Sequence, residues 1–253
     1  MEQFDELIRV MARLRASDGC PWDREQTHSS LRQYLLEETY EALEAIDEED
    51  WPRLADELGD VLLQVVFHAQ LASECGEFGI TEVCDKIVAK LKGRHPHVFA
   101  DTSVADSDEV VVNWEAIKSR EDGYCQRVSS LDGIPMALPA LQRAHKLQKK
   151  AARAGFDWEE IEGPREKINE ELREVDEAGP ESVEHEIGDL LFAVVNLARF
   201  LDVEPESALR KANERFTRRF RSVEQAAGTA DRLRAMTLTE MDELWERAKA
   251  EEE

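Results

Sequence analysis

Each half of the chain carries the same acidic pattern: a glutamate pair with a third glutamate three residues on, then a glutamate and an aspartate three residues apart. Carboxylates three residues apart lie on one face of a helix, and two helices joined by a short connection run antiparallel, so the four acids can face one another. Facing carboxylates repel unless a cation lies among them, and such oxygen ligands suit Mg²⁺ or Mn²⁺. The predicted ligands are Glu38, Glu41, Glu57 and Asp60 in the first half and Glu171, Glu174, Glu186 and Asp189 in the second.

The same acids also allow two other interpretations, a solvated helix face and a di-iron site. Glutamate is common on solvated helix faces, so a single Glu-x-x-Glu in an acidic chain indicates little. A di-iron carboxylate bundle uses Glu-x-x-His motifs on two helices, whereas the only such motif here, Glu25 to His28, precedes a predicted helix. The repetition of the whole pattern favours a divalent metal. So do Gly59 and Gly188, which lie between the acids within apolar runs and indicate close approach to a neighbour.

An internal repeat relates the two halves. The segment ELGDVLLQVVFHAQ begins at Glu57 and EIGDLLFAVVNLAR begins at Glu186, which gives an offset of 186 − 57 = 129. In the preceding helices Glu38 aligns with Glu171, an offset of 171 − 38 = 133, so the connection between the helices is shorter by four residues in the second copy. Self-similarity of this kind predicts two helical halves of the same architecture.

Apolar residues recur at steps of three and four along most of the chain, which predicts an all-α fold. The polar, turn-rich segment 122–135 is the predicted linker between a first domain, 1–121, and a second, 136–253. The run Val110–Val112 also allows a short strand, but helix is favoured there because Trp114 and Ile117 continue a helical period. The predicted helices cover residues 2–16, 31–48, 52–74, 79–92, 108–121, 136–153, 164–178, 181–201, 205–227 and 238–251.

The charge balance limits the partners of this chain. Its 253 residues include 32 Lys and Arg against 56 Asp and Glu, a net charge of 32 − 56 = −24. Such a surface disfavours nucleic-acid polymers, although a divalent cation can still join carboxylates to a phosphorylated small molecule. No apolar run approaches the roughly 20 residues that span a bilayer. A charged N-terminus and four cysteines without a CxxC motif predict a reducing, cytoplasmic setting with mostly buried thiols.

A basic stripe follows the second acidic pair. Lys211, Arg215, Arg218 and Arg221 recur at steps of four and three, with Arg219 beside them. The planar fork of arginine suits phosphate, although a solvated stripe paired with neighbouring glutamates is the alternative. A weaker version occurs in the first half at Lys86, Lys90 and Arg94. Candidates to contact a base or line a pocket, although positions in the core are favoured for each, are Trp245, Phe216 and Phe220.

These motifs together resemble the MazG family of nucleoside triphosphate pyrophosphohydrolases. The resemblance covers nearly the whole chain, because further segments match as well as the doubled acids. The resemblance implies an all-α tandem of helical domains, similar to four-helix bundles, that forms a homodimer. It also implies Mg²⁺-dependent hydrolysis of NTPs to NMP and pyrophosphate with broad base tolerance. The further matching segments are GCPWDREQTHSSLRQYLLEETYEAL, RHPHVF, NWEAIKSRE, GIPMALPAL and GFDW.

The resemblance also implies which residues act, with catalysis in the second domain. Lys167, Glu170, Glu171 and Glu174 would be catalytic, with Glu170 orienting or deprotonating the attacking water. Where relatives can carry lysine, this chain has Arg215. A non-catalytic, all-α regulatory dimer that binds nucleotide and metal is the alternative. The nucleotide contacts would be Lys167, Ile168, Asn169, Glu170, Glu171, Ser182, Val183, Glu184, His185, Asp189, Arg215, Arg218, Arg219 and Trp245.

Overall fold

A computed structural model of the chain describes residues 2–100, 103–104, 106, 109–110, 113–114, 117 and 128–251. The chain divides into two compact units, Met1–Cys125 and Gln126–Glu253. Every regular element among the described residues is an α-helix, which confirms the all-α prediction. Most of the predicted helix at 108–121 and residues 122–127 of the predicted linker lie outside the described residues, and the domain limits stay a prediction.

The first unit is built on a long helical hairpin. Its second helix begins where the Asp50 carboxylate accepts a hydrogen bond from the backbone N–H of Arg53 at 3.1 Å, with Pro52 in the first turn. This is a strong helix-starting combination. The helices of this unit are α1 (Glu2–Leu14), α2 (Pro21–Glu25), α3 (Arg32–Asp47), α4 (Trp51–Glu74), α5 (Ile80–Arg94) and α6 (Pro96–Phe99).

The second unit repeats the hairpin, with α8 packed against α9 as α3 is against α4. The connection between α8 and α9 contains Gly179 and Pro180, and Ser182 is the N-cap of α9. The helices of this unit are α7 (Ala140–Arg153), α8 (Glu162–Glu177), α9 (Val183–Phe200), α10 (Pro205–Ala227), α11 (Ala230–Ala235) and α12 (Leu238–Ala250).

The observed helix bounds differ from the predicted ones mainly at helix ends. The predicted helix at 136–153 begins only at Ala140, because residues 136–138 form a turn ahead of the N-cap, Pro139. Three helices were missed, namely α2, α6 and α11. They have five, four and six residues, which is too short for a hydrophobic period to register.

Apolar packing fixes the helices that carry the acids. In the first unit Met11, Leu31, Val66, Phe67 and Leu71 form one buried cluster, so the C-terminal half of α4 is anchored against α1. Each such side chain contributes roughly 1.5–3 kcal/mol when fully buried. In the second unit the buried apolar side chains of α9 and α10 are Ala193, Val195, Val223 and Ala227. The acids upstream on α4 and α9 are thereby held on anchored helices.

Two expectations about small residues were wrong. A Cβ built on Gly59 or Gly188 meets no atom within 4 Å, so neither glycine marks a close approach inside its unit. Both lie on an open helix face, which the apolar pattern alone does not distinguish from a packed one. Of the cysteines, Cys75 is exposed and Cys20 and Cys84 are half-buried, all three as free thiols, whereas burial was expected. No helix among the described residues has the length and apolarity to cross a bilayer.

Candidate active site

The acid cluster of the second unit joins α8 to α9. Carboxylate oxygens of Glu171, Glu174 and Glu186 lie within 4.8 Å of one another. Glu171 is only 3 % exposed, and its Oε2 has no hydrogen-bond partner among the described residues. A buried, unpartnered carboxylate oxygen is costly, and coordination of a cation relieves that cost. The donor set is all oxygen, which fits Mg²⁺ or Mn²⁺.

Lys167 supplies a positive charge at the edge of this cluster. Its Nζ lies 2.7 Å from Glu171 Oε1 and 2.8 Å from Glu170 Oε1. These two hydrogen bonds raise the pKa of Lys167, and the bond to Lys167 lowers the pKa of Glu170. Desolvation, followed by the charge of Glu171, raises the pKa of Glu174. The cluster therefore holds more negative charge than Lys167 alone offsets.

The acid cluster of the first unit has the same composition but a different cation. Oxygens of Glu38, Glu41 and Glu57 lie within 4.8 Å of one another. Desolvation and then the charge of Asp60 raise the pKa of Glu38, so the fourth predicted acid acts on this cluster too. The Nε of Arg53 lies 3.3 Å from Glu57 Oε1.

A cavity of about 560 Å³ opens beside the second cluster. Its walls are mainly apolar and aromatic, and Lys167, Glu171 and Asp189 lie at its polar side. A site with apolar walls and a few polar groups is the usual form of a pocket for a small ligand with a planar ring. Its lining residues are Leu131, Leu147, Gln148, Ala151, Phe156, Trp158, Lys167, Glu171, Asp189, Phe192, Ala193, Asn196 and Arg199.

Two buried amides line the cavity in fixed orientations. Gln148 donates from Nε2 to the backbone oxygen of Phe192 at 2.7 Å, which leaves its Oε1 as an acceptor with no partner among the described residues. Asn196 accepts at Oδ1 from the Nε of Arg199 at 2.8 Å, so its Nδ2 remains a donor. Arg199 is itself held by Asp157 through bonds of 2.9 and 2.5 Å. Besides the charged side chains that line it, the cavity therefore has one amide acceptor and one amide donor in its wall.

The predicted phosphate contacts lie in several places. Lys167 and Asp189 line the cavity, and Nε2 of His185 lies 3.4 Å from Asp189 Oδ2. On α10 the guanidinium of Arg219 lies 5.9 Å from the ring of Trp245, which contacts Phe216 with centroids 5.2 Å apart. No α10 arginine and no α12 residue lines the cavity. The predicted nucleotide contacts that do not line it are Ile168, Asn169, Glu170, Ser182, Val183, Glu184, His185, Arg215, Arg218, Arg219 and Trp245.

Sequence reasoning missed the cavity walls. Gln148 on α7 lies 44 residues before Phe192 on α9, and the two meet only because α7 packs on α9. The GFDW segment at 155–158 was the available signal, because Phe156 and Trp158 line the cavity and Asp157 holds Arg199. The alternative of a core position is wrong for Phe216, which is 59 % exposed.

A histidine within the apolar run of α4, His68, has a histidine partner. Nδ1 of His68 on α4 lies 2.8 Å from Nδ1 of His28, and the two rings are stacked. Desolvation, and then the charge of His28, lowers the pKa of His68. The single Glu-x-x-His motif thus contributes a histidine pair rather than a di-iron ligand set.

Comparison with known proteins agrees with this arrangement. The MazG nucleotide pyrophosphohydrolase domain matches residues 26–99 and 163–223, one segment in each unit. The nucleoside triphosphate pyrophosphohydrolase of Escherichia coli K12 is 48 % identical, over 100 % of this chain and 99 % of that protein. The nucleoside triphosphate pyrophosphohydrolase/pyrophosphatase MazG of Thermotoga maritima is 48 % identical, over 99 % and 97 %. The nucleoside triphosphate pyrophosphohydrolase of Mycobacterium tuberculosis is 35 % identical, over 91 % of this chain and 61 % of that protein.

The matched segments contain both acid hairpins, and the identity extends over the full chain. The chain belongs to the MazG family of nucleotide pyrophosphohydrolases.

Proposed function

We propose that this protein hydrolyses nucleoside and deoxynucleoside triphosphates to the monophosphates and pyrophosphate, in the second unit, as house-cleaning of the cytoplasmic nucleotide pool. The observation that carries the proposal is the buried Glu171 carboxylate, with one unpartnered oxygen, beside a cavity with aromatic walls. In this proposal the phosphates and a cation bind at the carboxylates, and the base binds among the aromatic rings. The family and its named relatives support the same reaction.

The metal would be Mg²⁺, with Mn²⁺ as a substitute, held by Glu171, Glu174, Glu186 and Asp189. When bound, it would neutralise charge on the triphosphate and favour ionisation of the attacking water. Lys167, already beside Glu171, would move its ammonium onto the phosphates as pyrophosphate leaves, together with Arg215 and Arg219. Arg218 and residues 182–185 would complete the phosphate contacts.

Glu170 would orient the water that attacks the α-phosphorus. The bond from water oxygen to that phosphorus forms as the bond to the bridging oxygen breaks, and a proton leaves the water. Glu170 is suited to accept or position this proton because its side chain is 49 % exposed and adjoins Glu171. Its pKa is held low by Lys167, so the carboxylate is ionised at neutral pH.

The cavity explains broad base tolerance. Every common base has an N–H donor on its pairing edge, either an exocyclic amine or a ring N–H. The unpartnered Oε1 of Gln148 would accept from any of them, and the rings of Phe156, Trp158 and Phe192 would contact the base without regard to its identity. An unpaired buried acceptor rewards any donor that reaches it.

A homodimer is part of the proposal. Apolar side chains at repeat-related positions of α4 and α9 are more than a third exposed. Exposed apolar patches of this kind mark interaction surfaces in many soluble proteins. Gly59 and Gly188 lie on the same open faces, where they leave room for a facing helix. The residues are Leu58, Leu62 and Val65 on α4 and Ile187, Leu191 and Val194 on α9.

The deciding experiment incubates the full chain with each common NTP and dNTP plus Mg²⁺ and measures monophosphate and pyrophosphate. Both products are expected in equal amounts, and chelation by EDTA should stop their formation. Glu171→Ala and Asp189→Ala should each abolish product while helical circular dichroism is retained. Binding of nucleotide without any product would instead support the non-catalytic regulator, and release of inorganic phosphate would indicate a stepwise phosphatase. Glu38→Ala and Asp60→Ala report whether the first unit contributes.

A further inference from the structure

Arg53 distinguishes the acid cluster of the first unit from that of the second. It lies in the first turn of α4, and its guanidinium contacts three carboxylates at once. Nη2 contacts Glu44, Nη1 lies 2.9 Å from Glu48, and Nε lies 3.3 Å from Glu57. Glu44 lies in the last turn of α3 and Glu48 is its C-cap, so the guanidinium ties α3 to α4 at the connected end of the hairpin.

One of these three contacts reaches the candidate metal ligands. Glu57 is one of the three acids whose oxygens lie within 4.8 Å of each other, and its side chain is only 14 % exposed. The hydrogen bond from Arg53 occupies a lone pair of Oε1, and the attached positive charge lowers the negative potential at the cluster. A divalent cation approaching the same oxygens is therefore repelled by a fixed charge a few ångströms away.

Within the described part of the second unit, no cation takes the place of Arg53. The repeat offset of 129 places Ser182 at the position of Arg53, and the Ser182 hydroxyl contacts the backbone oxygen of Gly179. Among residues 128–251, no Lys or Arg forms an ion pair with Glu186, the counterpart of Glu57. The cation there is Lys167, which corresponds through the offset of 133 to Tyr34 in the first unit.

Lys167 and Arg53 differ in how easily a bound metal ion could displace them. Lys167 is a single flexible ammonium that contacts two residues of its own helix, so a bound cation can displace it at small cost. The planar fork of Arg53 is fixed by carboxylates on both helices of the hairpin, and arginine stays charged at all physiological pH values. The acid cluster of the first unit thus contains a positive charge that a metal ion cannot readily displace.

We infer that Arg53 is a built-in counter-ion that weakens divalent-metal binding at Glu38, Glu41, Glu57 and Asp60, so that the second unit takes the metal first. This inference rests on the proposed metal-dependent function and adds the reason why two clusters of the same acids are unequal. Arg53 acts through Glu57 and is a positioning residue, not a catalytic one.

The test measures binding of Mn²⁺ alone, by the loss of the free-ion paramagnetic resonance signal, to the full chain carrying Glu171→Gln and Asp189→Asn. These changes silence the second site and leave the first as the site observed. Adding Arg53→Ser, which copies the residue at position 182, is expected to tighten Mn²⁺ binding at least about tenfold through the lost repulsion. Arg53→Lys keeps the charge but loses the planar fork, so its Mn²⁺ affinity should lie between those of the parent and of Arg53→Ser.

A charge-matched control excludes a general effect of net charge. Arg9→Ser on α1 removes one positive charge from the same unit, where Arg9 pairs with Glu6, and should leave Mn²⁺ affinity unchanged. If the Arg53→Ser variant and its parent with Arg53 bind Mn²⁺ with equal affinity, the inference is overturned, provided that circular dichroism shows both proteins folded. If Arg53→Ser unfolds the hairpin, Arg53→Gln replaces it, since glutamine keeps hydrogen bonds without the charge. Product formation by the unsubstituted protein, measured separately, decides the proposed function independently of this result.

Discussion

At the scale of single residues, Glu171 and Gln148 share one property that sets them apart from most of this acidic surface. Each is buried and each holds one oxygen without a partner, Oε2 in Glu171 and Oε1 in Gln148. A folded protein rarely leaves such groups unpaired, and those that persist often mark a ligand position. The carboxylate suits a cation and the amide oxygen suits an N–H donor, so we propose that they contact the two ends of a nucleotide.

Replacing Gln148 by Leu should weaken nucleotide binding without impairing the chemical step. The leucine fills similar volume but removes the acceptor for the base, so KM is expected to rise about tenfold while kcat changes less than about threefold. Steady-state kinetics with several NTPs would measure both constants. A fall in kcat of the same size as the rise in KM would contradict a role confined to the base. Gln64→Leu is the matched control, because Gln64 is a buried glutamine of the first unit, and its KM should be unchanged.

Glu74 gives a pH-dependent prediction for stability. Arg15 donates to it from Nε at 2.8 Å and from Nη2 at 2.7 Å, which lowers the pKa of Glu74. A depressed folded-state pKa gives stability that is fully present above about pH 4.5, the unfolded value, and is lost as pH falls through the folded pKa. Glu74→Gln should therefore cost about 1 kcal/mol at pH 7, since the pair is partly solvated.

Urea unfolding at a series of pH values from 7 to 3 would measure this difference. The gap between Glu74→Gln and the unsubstituted protein should narrow as pH drops below about 4.5. Glu6→Gln removes an exposed ion pair with Arg9 and should cost less than about 0.5 kcal/mol at every pH. A gap for Glu74→Gln that stays constant down to pH 3 would show that the charge contributes nothing.

At the scale of elements, the start of α8 forms one side of the cavity through contact with an aromatic ring. A Cβ built on Gly163, in the first turn of α8, would overlap the indole of Trp158, which lines the cavity. Only glycine lets the ring lie flat on the helix at this point. The helix that carries Glu171 and the aromatic wall therefore share one contact.

Gly163→Ala should displace the indole and disturb the cavity. The expected results are a loss of about 1–3 kcal/mol in unfolding free energy from overpacking and a several-fold rise in KM. Thermal melts and NTP kinetics would measure them. Gly19→Ala is a matched control, because a Cβ there would overlap the backbone oxygen of Leu14 in the first unit. It should lose similar stability with KM unchanged, and a KM shift equal to that of Gly163→Ala would refute the local explanation.

At the scale of the whole molecule, the acids that give the net charge of −24 differ in their proposed roles. Eight of the acids belong to the two candidate metal clusters, and the rest surround them as a solvating surface. Such a charge disfavours contact with nucleic-acid polymers, whereas a cation bound at the carboxylates would reverse the sign locally. The exposed apolar faces of α4 and α9 interrupt this acidic surface at repeat-related positions.

Light scattering coupled to size-exclusion chromatography should give a mass twice the chain mass of 28.9 kDa. Leu191→Glu places a charge in the α9 face and should shift the protein toward the monomer, because a desolvated unpaired charge is costly. Val10→Glu introduces the same charge at an exposed apolar residue of α1 and should leave the mass unchanged. An unchanged mass for Leu191→Glu would exclude this face from the interface.

The sequence by itself determined the all-α class, most helix bounds and three of the four predicted acids in each cluster. These features depend on local periodicity and on a repeat that aligns Glu57 with Glu186, and both can be read along the chain. It did not predict that Glu171 is buried while its counterpart Glu38 is only half-buried, because equal motifs meet different neighbours. Only the tertiary structure decided the cavity between Gln148, Trp158 and Asn196. It alone also decided the ion pair between Arg53 and Glu57. Packing brings together side chains that sequence spacing does not relate, and burial and electrostatics depend on that packing.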